Sequence, residues 1–270
     1  MSGFLSTATV NTLLDHAVGR VTAGAAPSPV YLALCTTVPT VASFGTEVVA
    51  PGYGRATMDA ASWNDAAFRR ISNATAKSFI VTGDYGQVVG WGLFTASTGG
   101  TYLGGGVFDQ PHILKTSDAF SVPIGGLIFQ VEALDVPALS GLSDYTVHSI
   151  LNHVVGKASW AFTAGGCYVG MCSTLPTDQV PGTEPVGGTY ALQNITAAQW
   201  DAAAARVIAT NTTKTLTAGV DAVIRGFILF DTAARTNYLA WYKLATPVRL
   251  AVAETLGVLT GSVITLPIPV

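Results

Sequence analysis

The chain has 270 residues, a formal net charge of −3, 49% apolar residues, 29 glycines and only 11% charged residues. Intrinsic disorder would need fewer apolar residues and more charge, and nucleic-acid binding would need a basic stripe to displace counterions. Mean hydropathy is +0.45, yet no run nears the roughly 20 consecutive apolar residues of a spanning helix, and Met1-Ser2-Gly3-Phe4 lacks the basic region of a secretory signal; neither a membrane nor a nucleic acid is an expected partner.

In chain order, Val10, Leu13, Leu14, Ala17 and Val18 recur at helical spacing. They predict an amphipathic helix capped by Ser6 or Thr7 and stopped by Gly19. The period then changes to two: Tyr31, Ala33 and Cys35 take one face of a strand, Leu32 and Leu34 the other. Further strands are expected over 87–94, 101–108 and 120–131, with Gly99-Gly100 and Gly104-Gly105-Gly106 as hairpin turns and bulges. Pro137, Ser140 and Gly141 interrupt the apolar pattern and mark a join within 133–141.

Beyond the join the series begins again. Ile150-Leu151-Asn152-His153 repeats Leu13-Leu14-Asp15-His16 at an offset of 137 residues. The same shift carries Cys35 onto Cys172, Gly45-Thr46-Glu47 onto Gly182-Thr183-Glu184, Trp63 onto Trp200 and Arg69 onto Arg206. After Asp84 and Asp221 one residue is lost, and an offset of 136 carries Tyr102-Leu103 onto Tyr238-Leu239 and Ile128 onto Ile264. Collinear matches of Trp, His, Cys and Pro over half a chain identify a tandem duplication. The second helix holds Val147, Ile150, Leu151, Val154 and Val155 between a Ser143 cap and a Gly156 stop. Alanines make 201–206 look helical, but its counterpart 65–70 does not, so the region reads as a loop or single turn. The expected fold is mainly β, with two homologous domains, 1–135 and 136–270. Each is expected to be an N-terminal α-helix followed by an antiparallel β-sandwich, the two in moderately apolar contact.

Candidate chemistry is sparse. His16 and His153 each follow a polar residue, Asp15 or Asn152, but neighbours at i−1 lie on different sides of a helix. Each His therefore reads as a carbonyl partner or a core residue, and His112 and His148 as surface residues. Cys35, Cys167 and Cys172 read as unbridged, half-buried thiols, the last two on opposite faces of one strand. No CxxC pair, nucleophile elbow, HExxH helix, P-loop or dinucleotide fingerprint occurs, so no catalytic residue, metal or cofactor is assigned. Trp63 and Trp200 are equivalent, and Trp91 has Phe227 as its counterpart; such rings are expected in the core. Trp160 and Trp241 lack a counterpart and are the candidates for a contact surface.

Val30-Tyr31-Leu32-Ala33-Leu34 with Thr36-Thr37-Val38-Pro39, then Gly45-Thr46-Glu47-Val48, Gly52-Tyr53-Gly54-Arg55 and Trp91-Gly92-Leu93-Phe94 form an ordered set of motifs. The set resembles a family of small tailed-bacteriophage structural proteins, often labelled tail fibre or minor virion proteins. The likeness covers essentially the whole first half and is thinner in the second, where Leu192 stands for Arg55 and Phe227-Ile228 for Trp91-Gly92. It implies a non-enzymatic virion protein, made in the bacterial host cytoplasm, with other virion proteins (major capsid or tail) as partners and a homo-oligomeric state in the particle. The low charge and the lack of a fibre-forming repeat favour a minor capsid or decoration protein on the head. The alternative is a tail fibre, fibre-tip or baseplate protein that contacts a host receptor.

Overall fold

The structure, a computed structural model, describes residues 2–21, 24–131, 140–160, 165–205 and 207–265. It is mainly β, as the pattern of short strands and turns requires.

The first element is a strand, β1 (Ser2–Leu5), not a helix. It enters the sheet before α1 (Thr7–Ala17) begins, and Gly3 permits this, because a Cβ there would lie 2.7 Å from the Trp91 ring. Ser6 caps α1 by accepting from Thr9 N at 3.1 Å. Gly19, at φ +70°, reverses the chain just after the helix, where a residue with a Cβ would be strained. The strands that follow are β2 (Val30–Cys35), β3 (Ala56–Met58), β4 (Arg70–Ser72), β5 (Lys77–Ile80), β6 (Gly86–Phe94), β7 (Tyr102–Leu114), β8 (Ala119–Val122) and β9 (Ile128–Gln130). The strand expected over 120–131 is thus two, β8 and β9, broken at Pro123, whose missing N–H cannot serve a ladder. The 65–70 region makes a tight turn closed by mutual Ala67–Arg70 backbone bonds of 3.0 Å.

Seven strands form the main sheet in the order β3-β2-β6-β7-β1-β9-β4, while β5 and β8 pair as a separate ribbon. The sheet is not wholly antiparallel, since β1 runs parallel to β9 with Ser2 opposite Ile128. That follows from the strand placed ahead of the helix, which the apolar period of four residues is too short to reveal.

The second half repeats every element: β10 (Ser140–Leu142), α2 (Asp144–Val154), β11 (Cys167–Cys172), β12 (Gln193–Ile195), β13 (Val207–Ala209), β14 (Lys214–Thr217), β15 (Ala222–Phe230), β16 (Tyr238–Leu250), β17 (Thr255–Val258) and β18 (Val263–Thr265). Ser143 caps α2 through Thr146 N, and Gly156 stops it at φ +73°. The strand order β10-β16-β15-β11-β12 reproduces that of the first sheet, with β13-β18 and β14-β17 as separate pairs. In the copy of 65–70, Ala204 and Val207 bond each other across Ala205, so this too is a turn; Arg206 lies outside the described residues. The boundary at 135/136 and most of the 133–141 join also lie outside them.

One apolar core runs through both halves. Leu14, Trp63, Trp91 and Phe129 belong to the same buried cluster as Ile150, Leu151, Trp200 and Ile208.

Candidate functional site

The two copies meet through equivalent surfaces, each helix packing on the other half: α1 against β13, α2 against β4, and α1 against α2. Asp15 Oδ1 accepts Ala203 N at 2.9 Å, and Asn152 Oδ1 accepts Ala66 N at 3.1 Å. Asn152 is the repeat of Asp15 and Ala203 the repeat of Ala66, so one hydrogen bond occurs twice with the roles of the halves exchanged. That reciprocity is the property of an isologous, twofold contact. Asp15 and Asn152 do the same work at these positions, since both offer a carbonyl-type oxygen to a backbone N–H; the other Asp15 oxygen pairs with Arg20 at 3.2 Å.

His16 and His153 stack at 6.4 Å between ring centroids near the middle of this seam. Nε2 of His16 lies 3.1 Å from Trp160 O and Nδ1 lies 3.2 Å from Val21 O. Nδ1 of His153 accepts Trp160 N at 3.2 Å, which fixes its proton on Nε2. Both imidazoles are thus partners of backbone groups. His148, expected at the surface, is half-buried on the seam, where Nε2 accepts Arg69 N at 3.1 Å. The Arg69 guanidinium also reaches across the halves to Asp144 at 3.1 Å and Asp178 at 3.0 Å.

Burial holds the pKa of His148 below the usual imidazole value, Asp144 opposing and Arg69 adding to the shift. Burial and then the neighbouring His16 do the same for His153. Below about pH 6.5 the unfolded chain takes protons that these folded sites refuse, so stability falls as pH falls. We expect the melting temperature to drop between pH 7 and pH 5, and to drop less in a His148→Gln/His153→Gln chain, whose amide oxygens still accept hydrogen bonds. Equal slopes in the two proteins would contradict this.

A second constellation occurs once in each half. In the first, Arg55 Nε and Nη2 grip Glu47 at 2.8 and 2.7 Å, and Nη1 donates to Ala96 O and Gly99 O at 2.8 and 2.7 Å. Its plane lies 3.7 Å from the Phe94 ring centroid. Tyr53 Oη donates to the same Glu47 and accepts Leu34 N. The node ties the Gly-Thr-Glu loop to the hairpin between β6 and β7. In the second half Tyr190 donates to Glu184 and accepts Met171 N, but Leu192 replaces the arginine. Arg235 supplies the guanidinium instead, bonding Glu184 from the hairpin. It occupies the place of Gly99 and its left-handed conformation, φ +60° against +61°. The same loop and hairpin are joined from the opposite side.

The tryptophans divide as follows. Trp63, Trp91 and Trp200 are buried in the core. Trp160 is 6% exposed, its ring edge-on to His16 at 4.7 Å, so it faces the interior of the chain. Trp241 is half-buried against Cys172, Ile228 and Phe230 and donates to Asp178 at 2.9 Å. It stands at the Gly105 position, and Pro181 stands where the first half has Phe44, the ring that covers Cys35 and Phe94. Trp241 therefore fills from β16 the space that Phe44 fills from a loop, which explains its missing counterpart. Phe227, which stands in place of Trp91, lines an apolar cavity of about 40 Å³ together with Val169, Trp200 and Ile264.

The three cysteines are free and buried. Cys167 joins the main core and Cys172 the smaller cluster, in keeping with opposite faces of one strand. Burial pushes each thiol up to about 12, far from the thiolate a nucleophile requires. Among the described residues no group of three His, Cys, Asp or Glu could hold a metal ion, and no helix is long and apolar enough to cross a membrane.

A family model described as Podophage GP4 fiber I protein gp80 matches the chain twice, over residues 4–130 and again over 141–265. A search of curated proteins gave no match.

Proposed function

Because the chain belongs to the podophage GP4 fiber I protein gp80 family, we propose that it is a non-enzymatic structural component of a tailed-phage virion, carried on the tail as part of a fibre and held there by other virion proteins. The observation that carries this reading is the double family match on a body whose seam and Glu–Arg nodes are, among the described residues, spent on backbone groups, loops and each other. The family match favours the fibre over the head-decoration reading expected from composition. A long fibre builds its length by a coiled-coil or collagen-like repeat; this chain supplies instead a rigid doubled body, suited to a junction or tip. Each ribbon folded against its main sheet would form the second layer of a small sandwich.

Immunogold labelling and peptide quantification of purified particles test the assignment. The expected result is label at the tail and copy numbers of a few to a few tens per particle. Hundreds of copies spread over the head would overturn it, as would release of reducing ends or peptides from host envelope by the purified protein.

A further inference from the structure

Phe68 is 90% exposed and sits at φ +50°, followed by Arg69 at +58°. Two consecutive left-handed residues make a turn that Asn-Gly fills without strain and Phe-Arg does not. The strain is held rather than relaxed: Ala67 and Arg70 close the turn, Ala66 N and Arg69 N are fixed to Asn152 and His148 on α2, and the Arg69 side chain is clamped by Asp144 and Asp178. The result is a rigid pedestal that holds an aromatic ring out in water, where it stabilises nothing in its own chain.

The duplication supplies the comparison. The counterpart of Phe68 is Ala205, also exposed and left-handed at φ +48°. Tyr145, His148 and Asn152 follow one another at three and four residues and so share a stripe of α2. Since the last two touch the turn, Tyr145, 38% exposed, lies on the stripe that faces it. Its counterpart on α1 is Ala8. One end of the seam thus carries two exposed aromatics where the equivalent end carries two alanines. Arg70, exposed beside Phe68, enters no ion pair among the described residues.

Resting on the reading of the chain as a virion component, we infer that Phe68, with Tyr145 and Arg70 beside it, is the anchor by which this chain docks into an apolar, acid-rimmed pocket of another virion protein. The ring is convex on its own chain, so the partner must supply the concavity. A protein pocket buries both faces and the edge of such a ring, whereas a sugar stacks on one face. Phe, Tyr and Arg are enriched at protein interfaces, and Tyr and Arg are among the residues that concentrate binding energy there.

The test uses the full chain with Phe68→Asn, which suits the left-handed turn. The expected outcome is a melting temperature at or above that of the wild type together with a drop of about tenfold or more in copies per particle, the scale of a central aromatic anchor. As a measurement independent of that variant's folding, a photo-crosslinking phenylalanine analogue at position 68 should join another virion protein in particles, and the same analogue at 205 should not. Wild-type incorporation of the Asn variant, or incorporation with loss only of host adsorption, would overturn the inference, the latter by placing Phe68 on the host side. Absence of the wild-type chain from particles would instead defeat the virion reading beneath it.

Discussion

Leu151→Asp is expected to unfold the entire chain, not the second half alone. Leu151 is fully buried on α2, in a cluster that also contains Leu14, Trp63 and Trp91 of the first half. The substitution loses a buried leucine, about 2–5 kcal/mol, and places a carboxylate where water cannot reach it, several kcal/mol more. Together these approach the roughly 5–15 kcal/mol that holds a typical domain folded. Leu13→Asp, 3% exposed on α1 in the wild type, should act alike. Amide resonances show the outcome: dispersion should collapse for residues of both halves together. A spectrum in which the first half keeps its shifts while the second loses them would contradict a shared core.

The second large effect is an asymmetry between two equivalent glutamates. Glu47→Ala leaves the Arg55 guanidinium, 6% exposed, without its carboxylate, and stranding a buried charge costs about 3–5 kcal/mol. Glu184→Ala leaves Arg235, which is 36% exposed and can turn to water, so the loss should stay at about 1 kcal/mol. Adding Leu192→Arg and Arg235→Gly to the wild type should keep stability close to the parent, since the first half already shows that geometry in working form. Denaturant midpoints of the single variants and the double exchange measure all of this. Equal losses from the two glutamates would mean that the side from which arginine arrives does not matter.

The parts of this structure legible in the sequence were those written as period or as repetition. The 3.6-residue stripe locates both helices, with Ser6 or Thr7, Ser143, Gly19 and Gly156 at their ends, and the shift from 137 to 136 residues carries the expected strands onto their copies, while the short strands β3, β4 and β5 show no such pattern. The β1 strand was invisible because four residues carry no period, and with it went the parallel pairing to β9. Reciprocity at the seam was invisible for a different reason: a duplication says that two surfaces are alike, not that they face each other. Helix geometry separates Asp15 and Asn152 from the histidines that follow them, but no spacing shows that each reaches a backbone amide of the other half. Arg235 and Trp241 each do the work of a residue at another position, Arg55 and Phe44, so alignment by offset shows Leu192 as a loss and Trp241 as a gain without showing what offsets them. No sequence pattern singles out Phe68, because its meaning lies in exposure and a positive φ, which no spacing reports.

If the two copies form one cooperative body around a twofold seam, scanning calorimetry of the unmodified chain shows it. One transition is expected, with a van't Hoff enthalpy equal to the calorimetric enthalpy and both about 0.7 kcal/mol per residue of the whole chain. Two resolved transitions, or a single peak whose van't Hoff enthalpy is only half the calorimetric value, would show two halves melting independently and contradict the claim.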